Sequence, residues 1–476
     1  MKTKAFDHQN RVVDESWHRP AWALFLDTGV GKTRIVLDTA ERLYLAGKIT
    51  GVLVIAPSGV YRNISDIEIP KHLSVPHRVA VWKATISAKA KQAMMLQAAN
   101  RSMCLEILCL NTEAFSFPKS DAVKLAETFL TTNRCLLVID ESTQIKIPSS
   151  TKTKTILRLS KLAAYRRVLS GMPVTESPEN LYTQLLCLWS ESFPYSSFYA
   201  FRNRFCTLED KVIRVGGRLQ KFSQVTGARR QAELNALIKS MGHIIHKSEC
   251  LDLPAKVYQR RTVEMSKEQA AAYAAMKREA GVIINHQEVS ALNVLGILEK
   301  QHQIVCGFLK TEDKIIWFDD TRINALLEQL EETQGKVIIW THYKACIARI
   351  AQAVGKKYGT QSVATFSGDT TSDQRPNIIS AFQNGSEVRF LIANPATGKF
   401  SWTLTSAHTA IYYSNSYKLE DRYQSEDRLH RIGQKSQVTY IDLVTPGTVD
   451  EQILNALREK RNIAAEIMQW REMLAA

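Results

Sequence analysis

The stretch Leu26–Arg34, LDTGVGKTR, decides how the rest of the chain is read. An apolar run, Ala21–Phe25, precedes it and an amphipathic run, Ile35–Leu45, follows, which makes strand, tight glycine loop, helix. A loop so placed wraps phosphate oxygens in backbone N–H groups at the positive end of a helix. Gly29 and Gly31 allow the backbone to approach closely. Lys32 has the reach for β- and γ-phosphates, and the Thr33 hydroxyl is the natural ligand for Mg²⁺. The general phosphate-loop pattern asks for a further glycine where this chain has Leu26. On the loop alone, a plain glycine turn capping a helix stays open.

At 476 residues the chain exceeds one hydrophobic core, so two large lobes are expected. Sixty-two Lys+Arg against 47 Asp+Glu give a net charge of +15. That balance suits a polyanionic partner, nucleic acid before membrane, because no basic amphipathic anchor stands out. The eight cysteines, at 104, 109, 135, 187, 206, 250, 306 and 346, form no CxxC pair, which points to reduced, buried thiols in a cytoplasm (a host's, if the gene is a phage's). His243, His246 and Cys250 have zinc-like spacing but lack a fourth ligand nearby. The N-terminus has no apolar h-region, and no apolar run approaches the ~18 residues of a membrane span, so no membrane partner is expected.

Through the first third, short apolar runs alternate with helical patterns: Val52–Ala56, Leu105–Leu110, Cys135–Ile139 and Arg167–Leu169, each ending in small or polar residues. That alternation marks a parallel sheet with ligands beyond the strand C-termini. Asn180 to about Cys250 is predicted to be aromatic-rich and helical, interrupted near Gly216-Gly217 and Gly227. Arg229-Arg230, Arg260-Arg261 and Lys152/Lys154 are candidate phosphate contacts or simply solvated charges. A second alternating set follows in Lys336–Trp340, Ser362–Phe366, Arg389–Ala393, Thr409–Tyr413 and Gln437–Leu443. A final helix is opened by a Thr448/Glu451 capping box, its apolar face running from Ile453 to Trp470.

Two further runs carry chemistry. Asp140-Glu141 end an apolar strand. Alone, a turn or helix cap would explain two such acids. After a GxGKT loop on the same kind of sheet, the first carboxylate can hold Mg²⁺ and the second can orient an attacking water. In Gln424–Gln434, QSEDRLHRIGQ, Arg428 and Arg431 are three apart and share a helical face. Arginine is the residue for bidentate phosphate recognition, although a solvated, salt-bridged helix would look similar.

Taken together, these strings resemble the Swi/Snf-type ATPases of helicase superfamily two, in the family's order and over nearly the whole chain. FDHQ (Phe6–Gln9) is similar to the adenine-reading glutamine motif, and DTGVGKT, VIAPS, LNTEA, VIDESTQIK and LSGMPVTESPENLYTQL follow. LDLPAKV (Leu251–Val257) resembles the LPxK brace; KVIIWTHY, TFSGDT, the Ala393–Thr405 region and DRLHRIGQ complete the set. The family's usual DEMGLGKT also lacks a glycine at the place of Leu26, which removes the objection to the loop.

The resemblance implies an α/β fold of two RecA-like parallel-sheet lobes, a P-loop NTPase core with helical insertions between them. Lobe one would span 1–250, with a helical excursion at about 180–250. Lobe two would span 251–476, with a brace and helical linker at about 251–330. ATP would lie between the lobes, with Gln9 on adenine and Gly29, Gly31, Lys32, Thr33 and Gln424 on the nucleotide. Thr33 and Asp140 would hold Mg²⁺, Glu141 would orient water, and Arg428 and Arg431 would act as fingers. Pro57, Ser58, Asn111, Thr112, Ser170, Gly171, Ser367 and Gly368 would lie near a double-stranded DNA track, forked or branched DNA included. The implied activity is an ATP-dependent DNA translocase, monomeric, of a short prokaryotic or phage type serving DNA replication or repair. The alternatives are a strand-separating or fork-regressing helicase, and a non-hydrolysing DNA clamp or partner-binding protein. Three departures stand out: DEST in place of DE[AG]H, Ile64 where an aromatic is common, and ATGKFSWTL (Ala396–Leu404) in place of a glycine-rich motif five.

Overall fold

A computed structural model describes the chain apart from residues 101–102, 190–192, 196, 216–217, 286–290, 372–373, 400–401 and 469–476. The first half contributes β1 (Ala21–Leu26), β2 (Gly51–Ala56), β3 (His77–Val81), β4 (Leu105–Asn111), β5 (Cys135–Ile139), β6 (Tyr165–Ser170), the hairpin β7 (Cys206–Val215) and β8 (Arg218–Ala228), and β9 (Gly242–Ile245). Seven of these make one sheet in the order β3-β4-β2-β5-β6-β1-β9, every pairing parallel. The second half contributes β10 (Lys256–Thr262), β11 (Phe308–Lys310), β12 (Ile315–Trp317), β13 (Lys336–Trp340), β14 (Val363–Phe366), β15 (Phe390–Ala393), β16 (Ala407–Tyr412) and β17 (Val438–Val444). Six of them form a second all-parallel sheet, β10-β17-β16-β13-β15-β14.

The strands read as unbroken apolar runs because both faces of each sheet are covered. In the first sheet Phe25, Leu53, Leu108 and Leu137 enter one core, while their neighbours Leu24, Val52, Ile107 and Leu136 enter the other. In the second sheet Val337, Ile339 and Ile392 separate in the same way from Ile338, Trp340 and Leu391. Two parallel sheets packed on both faces match the two RecA-like lobes that the resemblance implies. The segments that follow β1, β2, β5 and β6 therefore emerge along one edge of lobe one, which is where such sheets place their ligands.

The final helix, Val449–Met468, belongs by sequence to the second half, yet Ile453, Leu457, Ala464 and Ile467 share a buried cluster with Leu181, Leu234 and Ile238 of the first. Near its end Asn235 Nδ2 donates to the Ile467 carbonyl (3.0 Å) and Gln231 Nε2 to Glu466 Oε2 (2.7 Å). The helix thus straps lobe two back onto lobe one. Its expected capping is partly altered: Asp450 N donates to Thr448 Oγ1 (3.3 Å), but Glu451 Oε2 accepts from Gly447 N (2.9 Å) instead of Thr448.

The helical excursion predicted for about 180–250 is corrected in its centre. Helices Tyr182–Leu188, Phe198–Phe205 and Gln231–Met241 are present, but β7 and β8 form a long antiparallel hairpin between the last two. The physical cause is the alternation KVIRV and RLQKF on either side of a Gly-Gly pair, a two-residue hairpin signal. Gly216-Gly217 themselves, Phe400-Ser401 of the motif-five run, and Trp470 of the last helix lie outside the described residues. The strands β9 and β10 were not anticipated; they end at Ile245 and begin at Lys256, and β10 occupies part of the stretch assigned to the brace and helical linker. Among the described residues no helix is long and apolar enough to cross a membrane.

Gly242 opens β9 against Ala23, and a Cβ there would stand 2.5 Å from Ala23 Cβ and 2.6 Å from its carbonyl oxygen. Gly242→Ala is expected to destabilise the protein by about 1–3 kcal/mol, the usual cost of overpacking. Urea unfolding should show the lower midpoint; a parent-like midpoint would mean that the edge strand slides away freely.

Candidate active site

The loop after β1 turns on Gly29 and Gly31, both in left-handed backbone (φ +84° and +95°), and delivers the chain into helix Lys32–Leu45. Gly31 has a second reason to be glycine: a Cβ would lie 2.1 Å from Gln9 Nε2. Gln9 is held there by two main-chain bonds, its Nε2 donating to Val30 O (3.1 Å) and its Oε1 accepting from Phe6 N (3.1 Å). Lys32 Nζ donates to the Leu26 carbonyl at 2.9 Å. Gly171, following β6, closes beneath the loop, and a Cβ on it would come within 2.6 Å of Thr28 Cγ2.

Strand β5 delivers Asp140, buried, whose Oδ1 accepts from Glu141 N (2.9 Å). Glu141 sits in left-handed backbone at φ +48°, a conformation that non-glycine residues hold only where the surroundings enforce it. Burial raises the pKa of both carboxyls, against the pull of Lys32. For Glu141 the charges of Asp140 and Glu420 add to the rise, Arg428 opposes it, and the value reaches about 7. The departure at Ser142 has a purpose: its Oγ donates to Gln184 Oε1 (2.6 Å), and Gln184 Nε2 donates to Pro173 O and Asn180 O. The acidic pair is thereby tied to the segment after β6.

From lobe two, helix Leu419–Glu426 continues in turns through Arg431. Gln424, Arg428 and Arg431, spaced at i, i+4 and i+7, line the cleft facing the loop. The opposite side is pinned. Glu426 accepts from Arg422 (2.7 Å), Tyr258 Oη (2.8 Å), Arg461 (3.2 Å) and Lys256 of the LPxK string (3.4 Å). His430 Nε2 lies 2.7 Å from the Pro254 carbonyl. Arg428 and Arg431 both donate to one main-chain acceptor, the Trp402 carbonyl, at 3.1 and 2.7 Å. Burial lowers the Arg428 pKa to about 10, with Arg431 beside it contributing. In the RIGQ string Gly433 takes φ +98°, and Gln434 Nε2 donates to Ala407 O (2.9 Å) and Leu429 O (3.2 Å), so Gln434 is spent on the main chain.

The resulting cleft of about 610 Å³ is lined from both lobes by every residue predicted for nucleotide, metal and catalysis: Gln9, Gly29, Gly31, Lys32, Thr33, Asp140, Glu141, Gln424, Arg428 and Arg431. Ile64, where an aromatic was expected, opens a π-helical turn, Ile64–Glu68, in the cleft wall. Gln424 is buried, and its Oε1 has no donor among the described residues, an acceptor aimed into polar space. The residues predicted for the DNA track divide. Ser58 and Gly368 are exposed, and Asn111 and Ser367 are half-buried; Ser58 Oγ and Asn111 Nδ2 both donate to Glu113 Oε2. Pro57, Thr112, Ser170 and Gly171 are buried, Gly171 against the loop.

Sequence patterns missed the group that joins the lobes behind the cleft. Asp27, fully buried, accepts from Thr28 N (2.7 Å) and Tyr423 Oη (2.5 Å), and its Oδ2 lies 3.2 Å from His246 Nε2. Lys247, also buried, donates its N–H to Asp27 (3.3 Å) and its ammonium to Asp427. Burial opposes ionisation of Asp27, but Lys247, His246 and the Tyr423 hydroxyl outweigh it and hold the pKa below the ordinary carboxylate value. Asp27 stood in plain view inside the loop string; nothing in sequence spacing linked it to Tyr423, almost four hundred residues on. The zinc-like trio separates to other partners, His243 to Trp22 Nε1 (2.7 Å), His246 to Asp27, and Cys250 to main-chain carbonyls. Among the described residues no group of three or more His, Cys, Asp or Glu is arranged to hold a metal ion.

Two RecA-like lobes that meet over a phosphate loop, with arginines of the second facing it, define a helicase-type P-loop NTPase core. The SNF2-related domain model matches residues 12–308, more than half of the chain, and the helicase conserved C-terminal domain matches 321–433. The chain belongs to the SNF2-related family. It is 25% identical over 92% of its length to the SWI/SNF-related matrix-associated actin-dependent regulator of chromatin subfamily A-like protein 1 of Xenopus tropicalis, covering 42% of that protein. It is 23% identical over 74% of its length to the DNA annealing helicase and endonuclease ZRANB3 of Mus musculus, covering 32%. The chain thus spans less than half the length of these relatives. Among solved structures it is similar to the Sulfolobus solfataricus SWI2/SNF2 ATPase core in complex with dsDNA, at 22% identity and a TM-score of 0.41, with 99% of this chain and 94% of that one covered.

Tyr423→Phe removes one donor to the buried Asp27 carboxylate and should cost about 1.5–3 kcal/mol at neutral pH. Because the folded-state pKa of Asp27 is lowered, the stability it contributes is present above the unfolded value and is lost as pH falls through the folded one. Urea midpoints of parent and variant should therefore converge below about pH 4; a gap that persists undiminished in acid would place the effect in packing instead.

Proposed function

We propose that the protein hydrolyses ATP to drive translocation along double-stranded DNA. The observation that carries this is the single cleft in which Gln9, Lys32, Asp140 and Glu141 of lobe one face Arg428 and Arg431 of lobe two. A donor set of one carboxylate, Asp140, and one hydroxyl, Thr33, suits Mg²⁺ that takes its remaining ligands from phosphate and water. When bound, that ion neutralises charge on the phosphates. The chain's own groups do the rest. The glycine loop and Lys32 hold the phosphates, and Gln9, fixed between Phe6 N and Val30 O, meets the adenine edge. Glu141, poised near pH 7, orients and accepts a proton from the attacking water. Arg428 and Arg431 exchange the Trp402 carbonyl for the transferred phosphoryl group and so couple chemistry to lobe position.

Ser58, Asn111, Ser367 and Gly368 are the accessible members of the DNA track, and the net charge of +15 supports a polyanionic partner. Contacts of that kind hold phosphates without reading sequence. The DNA annealing helicase among the relatives favours a second reading, action on forked or branched duplexes. Annealing of a forked substrate, measured beside displacement of a triplex strand, separates the two.

An arginine finger is worth about 10³–10⁵ in turnover, against about 0–1 kcal/mol for a surface ion pair. Arg431→Ala is expected to abolish DNA-stimulated ATP hydrolysis while circular dichroism and the thermal midpoint stay near the parent's. Turnover within about fivefold of the parent would remove Arg431 from the chemistry.

A further inference from the structure

The β7–β8 hairpin is a long antiparallel ribbon of lobe one with a packed root. Phe205 and Cys206 are fully buried, with Phe205 packed in an aromatic cluster 4.8 Å from Phe201 and 5.3 Å from Tyr195 (ring centroids). Arg229 N donates to Phe205 O (2.8 Å), Arg202 to the Ser223 carbonyl, and Ser223 Oγ to Asp210 Oδ1 (2.6 Å). Beyond the Asp210–Ser223 pair Lys211 lies 3.9 Å from Glu209, and apolar side chains face water: Val212 is 53% exposed, Leu219 67% and Phe222 42%.

Directly paired residues of an antiparallel ribbon share a face. Lys211 pairs with Phe222, and Val212 with Lys221, so each face sets a lysine beside an exposed apolar group. Between Cys206 and Arg230 the sequence holds six basic residues (Lys211, Arg214, Arg218, Lys221, Arg229, Arg230) against two acidic ones (Glu209, Asp210). The five residues from Lys211 to Val215 extend about 17 Å, and a two-stranded ribbon is narrow enough for the major groove of a duplex.

We propose that β7–β8 is a second duplex-binding element, an arm that lies along a groove of double-stranded DNA outside the cleft, its lysines on phosphates and its apolar side chains on sugars and bases. The arm rests on the DNA reading above. Charge selects the partner: a cationic ribbon with alternating apolar groups matches a polyanion with apolar groove walls better than it matches a protein surface.

Two variants of the full chain test it: Lys211→Glu with Lys221→Glu, and a shortened hairpin in which Asn-Gly replaces Lys211–Phe222 and leaves the Asp210–Ser223 pair intact. Binding of a labelled blunt duplex is followed by anisotropy across a salt series, with ATP hydrolysis titrated against the same duplex. Both variants should need about tenfold more DNA for half-saturation, with a salt slope shallower by about 2, while maximal turnover and the thermal midpoint hold. Parent-like affinity and slope in both variants overturn the arm, whether the ribbon then serves a protein partner or none. If DNA fails to stimulate parental hydrolysis but duplex binding still depends on the hairpin, translocation is rejected and the arm stands.

Discussion

A carboxylate sealed from water must be neutralised where it lies, and Asp27 meets that demand with groups from three parts of the chain. Its own loop gives the Thr28 N–H, the segment after β9 gives His246 and the Lys247 N–H, and the second lobe gives the Tyr423 hydroxyl. Remove any one and a charge is left short of partners in a medium that does not forgive it. The residue that begins the phosphate loop is therefore also the residue that registers where lobe two stands.

The same economy governs the finger helix. Glu426 gathers Arg422, Lys256, Tyr258 and Arg461, so the brace strand β10 and the final helix grip one side of the turn while Gln424, Arg428 and Arg431 keep the other. Buried ion clusters of this sort add little net stability over apolar packing, yet breaking one by deleting a partner costs about 3–5 kcal/mol. What the cluster supplies is orientation. Two arginines are held at one acceptor, and the helix that carries them cannot rotate without disturbing Asp427, Lys247 and Asp27 in turn.

Much of this was legible in the chain itself, for physical reasons. Central parallel strands are apolar on both faces, so Cys135–Ile139 and Lys336–Trp340 were marked to the residue. Edge strands lack that signature. No residue of His77–Val81 is fully buried, and β9 has only four residues, so neither stood out. The hairpin at 206–228 was hidden by its helical, aromatic flanks, although Gly-Gly between two alternating runs was there to be read. For the site, the residues that line the cleft were named because each occupies a motif with local spacing. The Asp27–Tyr423–Lys247–Asp427 group, and the burial of Thr112 and Ser170, depend on packing between segments distant in sequence, which no local pattern encodes.

The choice of acceptor for the two arginines has a consequence for how this site tolerates change. Trp402 offers its carbonyl, and its ring lies 4.1 Å from that of Phe366 (centroids) in a separate contact. A main-chain oxygen comes with every amino acid. Replacement of the side chain at 402 leaves the oxygen in place so long as the backbone keeps its course. A motif that looks eroded when letters are compared can thus keep its mechanical role intact, because that role was written in the backbone, where substitution has no alphabet.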